Sequence, residues 1–220
     1  MTFQLASLDM AGTTINEGGI VYRVMREQLE SAIGRAIDDS VISRWNGTSK
    51  RTAIVGVLDE LGIDGVDADA LYAHFLVALA ARYESEPPTL FPGVRESVAE
   101  LRSRGVKVAL QTGYTRDIAE SLMRSARWEL DAVDALVTAD DVAESRPAPY
   151  MIFRTMEATG VTDVRRVLVA GDTVNDLRAG TNAGAGYVVG VLTGAHDVTR
   201  LGEEEHTHLL PSLATMAELR

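Results

Sequence analysis

Apolar and polar positions along this chain fall into two textures. The opening run Phe3-Gln4-Leu5-Ala6-Ser7-Leu8 can form a strand, and it ends in Asp9 and the small-residue turn Met10-Ala11-Gly12-Thr13-Thr14. From there to residue 88 the pattern is helical. Ile20, Val21, Val24, Met25, Leu29 and Ile33 recur at helical spacing and predict a helix over 20–33, with Gly34 as its C-cap. A second helix is expected over 39–45, ended by the turn pair Asn46-Gly47. A third is expected over 50–61, capped by Thr48 or Ser49 and closed by Gly62. A fourth is expected over about 67–84, stopped by Pro87-Pro88.

Beyond residue 88 short apolar runs alternate with helical stretches. The pattern predicts strands over 106–110, 135–138, 167–170 and 187–191, the last closing the sheet. It predicts helices over 94–103, 116–126, 150–158 and 176–183. Such alternation implies an α/β fold with a doubly wound, Rossmann-like parallel sheet. The expected organisation is an α/β core from 1–16 and 89–220, with 17–88 inserted as an all-helical cap over the strand ends.

The strand ends carry the chemistry. In a parallel sheet, ligands bind outside the carboxyl ends of the strands. Asp9, Thr112-Gly113 and Gly171-Asp172-Thr173 each follow a predicted strand, and Arg146-Pro147 precedes a helix. Taken alone, an Asp such as Asp9 could merely cap a turn. Together, these residues bring two carboxylates, a hydroxyl and a fixed cation to one rim. Two acids held that close are costly without a cation between them. Mg²⁺ suits oxygen ligands and shares its shell with substrate phosphate oxygens. Asp9 could then attack phosphorus, while Thr112 and Arg146 hold the phosphoryl oxygens.

Composition narrows the partners. A formal net charge of −11 over 220 residues argues against nucleic acid or an anionic membrane. It leaves room for a small anionic, phosphorus-containing substrate in a locally positive pocket. The absence of cysteine excludes disulfides, thiolate metal sites and cysteine nucleophiles. With no basic segment ahead of the first strand and no apolar run long enough to span a bilayer, a cytoplasmic protein is expected.

In this order and spacing the motifs resemble those of the haloacid dehalogenase superfamily. Asp9-Met10-Ala11-Gly12-Thr13 is similar to its first motif, Thr112 to its second and Arg146 to its third. Gly171-Asp172-Thr173-Val174-Asn175-Asp176 is similar to its fourth. The resemblance implies a covalent aspartyl intermediate on Asp9. It also implies Mg²⁺ held by Asp9, Asp172 and the main-chain carbonyl of Ala11, with Asp176 in support. Without the family, Asp176 reads as a solvated residue in a helix's first turn.

Most phosphatases of that superfamily place a second Asp two residues after the nucleophile, to protonate the leaving alkoxide. Here that position is Ala11. Such general-acid help is worth about 10²–10⁴ in rate. The chain must therefore find a proton elsewhere or cleave a bond whose leaving group needs none. A C–P bond beta to a carbonyl qualifies if a lysine converts the carbonyl to an imine, which draws electrons off carbon. Lys50, at the start of the third helix, is the candidate. The helix dipole there should lower its pKa slightly. The chain's other lysine, Lys107, falls inside a predicted strand.

This pattern resembles the phosphonoacetaldehyde hydrolase (phosphonatase) family. That family shares the Asp-x-Ala-Gly-Thr-Thr opening, a cap Gly-x-x-Lys whose lysine forms a Schiff base, Thr-Gly-Tyr-Thr-Arg in the second motif and Arg-Pro in the third. All recur here, at Asp9 to Thr14, Gly47 to Lys50, Thr112 to Arg116 and Arg146-Pro147. The resemblance assigns Gly12, Thr13, Gly113 and Tyr114 to substrate binding. The chain departs at two points: Ala53 replaces a proton-moving histidine, and Asn46 replaces a methionine. The Ser49-Lys50 pair also resembles the Ser-Arg of sugar-phosphate mutases, whose cap cation binds a phosphate.

Four functions compete: a phosphonatase; a phosphatase for a small metabolite such as phosphoglycolate; a dehalogenase, disfavoured because Asp172 and Asp176 imply a metal; and a non-catalytic binding module. No histidine replaces the missing one. His74 lies mid-helix and reads as structural, His196 follows the last strand, and His206 and His208 sit in a solvated tail. The apolar face of the first cap helix, with Val21, Val24 and Met25, could pair two subunits.

Overall fold

The computed structural model describes residues 3–45 and 48–219. In chain order the elements are β1 (Leu5–Asp9), β2 (Ile15–Asn16), α1 (Ile20–Ile33), α2 (Asp39–Ser43), α3 (Lys50–Glu60), α4 (Ala68–Ser85), β3 (Thr89–Leu90) and α5 (Val94–Ser103). There follow β4 (Lys107–Gln111), α6 (Arg116–Ser125), β5 (Ala135–Val137), α7 (Tyr150–Thr159), β6 (Val167–Gly171), α8 (Val174–Ala183), β7 (Tyr187–Val191), α9 (Val198–Gly202) and β8 (His208–Leu210). The doubly wound parallel sheet expected from the sequence is present, in the order β5-β4-β1-β6-β7-β8, with every pairing parallel.

β1 is the hinge of this topology. The chain runs from β1 outward through β4 to β5, then returns to the other side of β1 through β6, β7 and β8. Crossovers on either side of β1 leave a crevice above its carboxyl end. Successive β1 side chains alternate faces. Leu5 joins Ile152 of α7 and Ala179 of α8 in one cluster, while Ala6 and Leu8 join Val98 and Leu101 of α5 in another.

Helices α1 to α4 lie between β2 and β3, which pair antiparallel (Ile15↔Leu90, Asn16↔Thr89). This ribbon was not expected; two-residue strands leave no periodic signal. Within the insert Gly34 caps α1 in the left-handed region, Ser49 caps α3 by accepting from Thr52 N–H at 3.2 Å, and Asp67 caps α4. The turn Asn46-Gly47 lies outside the described residues, and α2 ends at Ser43 rather than 45.

Three expectations are corrected. β7 is not the last strand: His208 lies half-buried in β8, its ring stacked 6.4 Å from that of Tyr187. Three residues before Pro211 are too few for periodicity to reveal. Val21, Val24 and Met25 are buried in the protein's own core, where α1 packs on α4, so this face is not available to a second subunit. His74 is exposed on α4 rather than part of the core. Lys107 stands at the exposed start of β4, paired with Asp134 at 3.0 Å. Among the described residues, no helix is long and apolar enough to cross a membrane.

Candidate active site

The turn after β1 is wound around one carbonyl. Met10 O accepts from the N–H groups of Thr13, Thr14 and Ile15 at 3.3, 2.8 and 2.8 Å. The turn needs Gly12 in the left-handed region, at φ +87°, where other residues are strained. It delivers the Thr13 hydroxyl to Asp172 Oδ1 at 3.0 Å. Asp172 Oδ2 accepts from Ala195 N–H at 2.7 Å. A Cβ at either Gly12 or Gly194 would collide with this carboxylate, so the glycines form a cradle that only backbone can line.

Asp176 is wholly buried, so the reading of it as a solvated first-turn residue does not hold. Its Oδ2 closes a capping box with Thr173, accepting from Thr173 N–H at 3.1 Å and Thr173 Oγ1 at 2.5 Å. Its Oδ1 meets Arg146 Nη1, which also donates to Asp9 Oδ1 at 2.7 Å. Asp9, Asp172 and Asp176 each present an oxygen within 4.8 Å of the others. Burial, and then the charge of Asp9, raise the Asp172 carboxyl to about 6. Arg146 is buried, and its Nε has no hydrogen-bond partner. Three buried acids served by one guanidinium, all offering oxygen, fit a hard divalent cation.

Above the acids a cavity of about 540 Å³ runs between the sheet rim and the helical insert. Asp9, Ala11, Gly12, Lys50, Thr112, Gly113, Tyr114, Arg146, Asp172 and Asp176 all line it; Thr13 sits just behind, bonded to Asp172. Thr112 Oγ1 accepts from Tyr114 N–H at 3.2 Å, which folds the loop after β4 over the rim. Gly47 lies outside the described residues.

Lys50 is 3% exposed. Its Nζ donates to Tyr22 OH and to Thr48 O, both at 3.1 Å, and lies 4.3 Å from the Tyr22 ring centroid and 5.5 Å from that of Tyr114. Burial lowers its pKa to about 8, against the attraction of Glu17. The largest cause is loss of water, which the sequence did not reveal. A surface lysine would show none of this.

The sequence reading missed two residues of this chamber. Tyr22 on α1 caps the amine. Glu17 precedes α1, 6% exposed, and its Oε2 accepts from Val21 N–H and Tyr83 OH, both at 3.1 Å. Burial raises its carboxyl to about 7. No spacing rule marks an acid at the mouth of a helical insert. The nearest hint was Glu17 opening an apolar helix whose first turn leaves N–H groups unpaired. Val174 N–H donates to His196 Nδ1 at 3.1 Å, and His196 does not line the cavity.

Known proteins share this architecture. Residues 3–184 match the haloacid dehalogenase-like hydrolase family. A phosphonoacetaldehyde hydrolase of Bacillus anthracis is 37% identical over 157 residues, 70% of this chain and 55% of that relative. One from Bacillus cereus is 36% identical over 238 residues, 96% of this chain and 83% of that relative. The match thus spans about half the length of the first curated relatives. In fold, the chain is similar to a phosphonoacetaldehyde hydrolase-like protein from Oleispira antarctica, with TM-score 0.86, 21% identity and coverage of 99% of this chain and 91% of that one. A hydrolase from Pseudomonas syringae superposes with TM-score 0.85 at 20% identity, covering 99% of this chain and 97% of that one. With its four motifs gathered on one rim and its family match running through β6 and α8, the chain belongs to the haloacid dehalogenase-like hydrolases.

Proposed function

We propose that the protein is a Mg²⁺-dependent phosphonatase-like hydrolase that cleaves the C–P bond of phosphonoacetaldehyde or a close carbonyl phosphonate. The observation that carries this reading is Lys50, an amine buried in the same cavity as Asp9 and held near the free-base range. A lysine meant only to bind an anion gains nothing from a lowered pKa. One that attacks a carbonyl needs its lone pair.

Asp9, Asp172, Asp176 and the Ala11 carbonyl would hold the metal. Bound there, Mg²⁺ would neutralise charge on the phosphoryl oxygens and relieve the crowding of the acids. Lys50 condenses with the substrate carbonyl, and the iminium so formed draws in the C–P bonding pair as phosphorus passes to Asp9. Arg146 and Thr112, with the loop Gly113-Tyr114, hold the phosphoryl oxygens while the bond transfers. An Arg at this position offers a fork to two oxygens at once, and its unpartnered Nε is a free donor. Water then releases phosphate from Asp9. The second domain in this reading is the segment 17–88, which carries Lys50 over the rim.

A phosphatase acting on a small phosphate ester such as phosphoglycolate remains the alternative. What favours it is Ala53, fully buried, where the phosphonatase pattern has histidine. Borohydride trapping with phosphonoacetaldehyde, beside a panel of O-phosphate esters, separates the two. Covalent labelling of Lys50 with release of phosphate from the aldehyde supports the first. Ester hydrolysis with no labelling sinks it.

A further inference from the structure

We propose that Glu17 is the proton-transfer group of the Lys50 amine, taking the place of the histidine this chain lacks. The inference rests on the imine reading above and names how that imine forms.

The cavity holds five acids among the described residues. Asp9, Asp172 and Asp176 form the rim cluster, and Asp39 pairs with Arg26 at the mouth. Glu17 is the remaining acid; it stands outside the rim cluster, lines the same cavity as Lys50, and takes neither of its hydrogen bonds from a cation. Among charged groups, it is the one that acts most strongly on Lys50. Among the described residues no histidine lines the cavity. Both hydrogen bonds to the carboxyl fall on Oε2, from Val21 N–H and from Tyr83 OH of α4. They fix the side chain of this cavity-lining residue through one of its two oxygens. The charged and titratable groups that interact with it are Arg23 of α1, Lys50 of α3, Tyr83 of α4 and Tyr114 of the rim loop. Its raised carboxyl and the lowered amine bring the two ionisations close together, as proton exchange between them requires.

The step balances with no outside reagent. The neutral Lys50 nitrogen uses its lone pair to form the C–N bond, and the carbonyl oxygen takes the Glu17 proton. The Glu17 carboxylate then removes one proton from nitrogen, giving the neutral carbinolamine and the acid again. That acid protonates the carbinol hydroxyl, which leaves as water while the nitrogen lone pair closes the C=N bond. Hydrolysis of the final imine retraces these transfers.

The test is reductive trapping of the full chain with acetaldehyde as the probe, at saturating borohydride so that imine formation limits labelling. The readout is the rate of N-ethylation at Lys50, by peptide mass, across the pH range of both ionisations. Glu17→Gln should keep both hydrogen bonds to Oε, since an amide oxygen also accepts. We expect its plateau rate to fall by about 10²-fold, with Glu17→Asp between. A purely electrostatic Glu17 would behave differently: the variant would shift the lysine ionisation downward and keep the wild-type plateau, which would overturn the proposal. Thermal melting checks that each variant folds. If Glu17→Gln does not fold, Glu17→Asp decides alone, and a wild-type plateau and profile in it overturn the proposal. If wild-type protein is not labelled at all, the imine reading fails and takes this inference with it. Labelled wild type with an unaffected variant removes the inference alone.

Discussion

Replacing Glu17 with glutamine isolates one buried ionisation and measures its cost to the fold. The wild-type carboxyl moves from 4.5 to about 7 because burial disfavours its charge. Each tenfold change in proton affinity is worth about 1.4 kcal/mol, so ionised Glu17 costs the folded state roughly 3 kcal/mol. The sign follows from proton counting. Between pH 4.5 and about 7, the folded state holds a proton that the unfolded state has lost, so stability falls as pH rises through that window and then levels. Glutamine carries no such proton and keeps the bonds from Val21 and Tyr83. Relative to wild type, Glu17→Gln should therefore gain about 3 kcal/mol between the acid end of the window and its upper end, out of a total stability of about 5–15 kcal/mol. Urea unfolding of both proteins at several pH values, with chelator present, reads the difference directly. Parallel pH dependences for the two proteins would refute the argument and place Glu17 in water.

Other outcomes follow from the same site. Lys50→Met removes an amine whose burial is costly below about pH 8. It should abolish borohydride labelling and raise stability by roughly 2–3 kcal/mol at neutral pH, a gain that shrinks toward pH 10.5 as the folded and unfolded amines both lose their protons; a drop in stability at neutral pH would contradict this. Asp9→Asn should abolish phosphate release yet leave Lys50 labelling by acetaldehyde intact, so loss of both would show that the two half-sites are not separable. Gly194→Ala drives a methyl into the Asp172 carboxylate. It should cost about 1–3 kcal/mol and most Mg²⁺-dependent turnover, and wild-type melting with wild-type turnover would count against the cradle. Gln111 is fully buried beside Asp9 with neither side-chain polar atom paired. Gln111→Met should thus stabilise the protein by about 1–3 kcal/mol, as thermal unfolding would register.

Much of this protein was legible in the chain itself. The helix Ile20–Ile33 and the strand Tyr187–Val191 appear at their expected bounds because the helix buries one periodic face, the strand is a continuous buried run, and each is closed by a glycine or a turn. Asp9, Thr112 and Asp172 could be gathered on paper because a parallel sheet sends all its strand ends to one edge. What patterning could not supply was anything decided by the meeting of distant segments. The ribbon β2–β3 and the strand β8 are too short to carry a period and exist only because a neighbour completes their hydrogen bonds. The dimer face read on α1 is instead the protein's own interior, since amphipathicity says that a stripe is covered but not by what. The state of Lys50 and Glu17 was likewise invisible, because a pKa is set by desolvation and by charges brought near in space. Only the closing of the helical insert over the rim removed water from both.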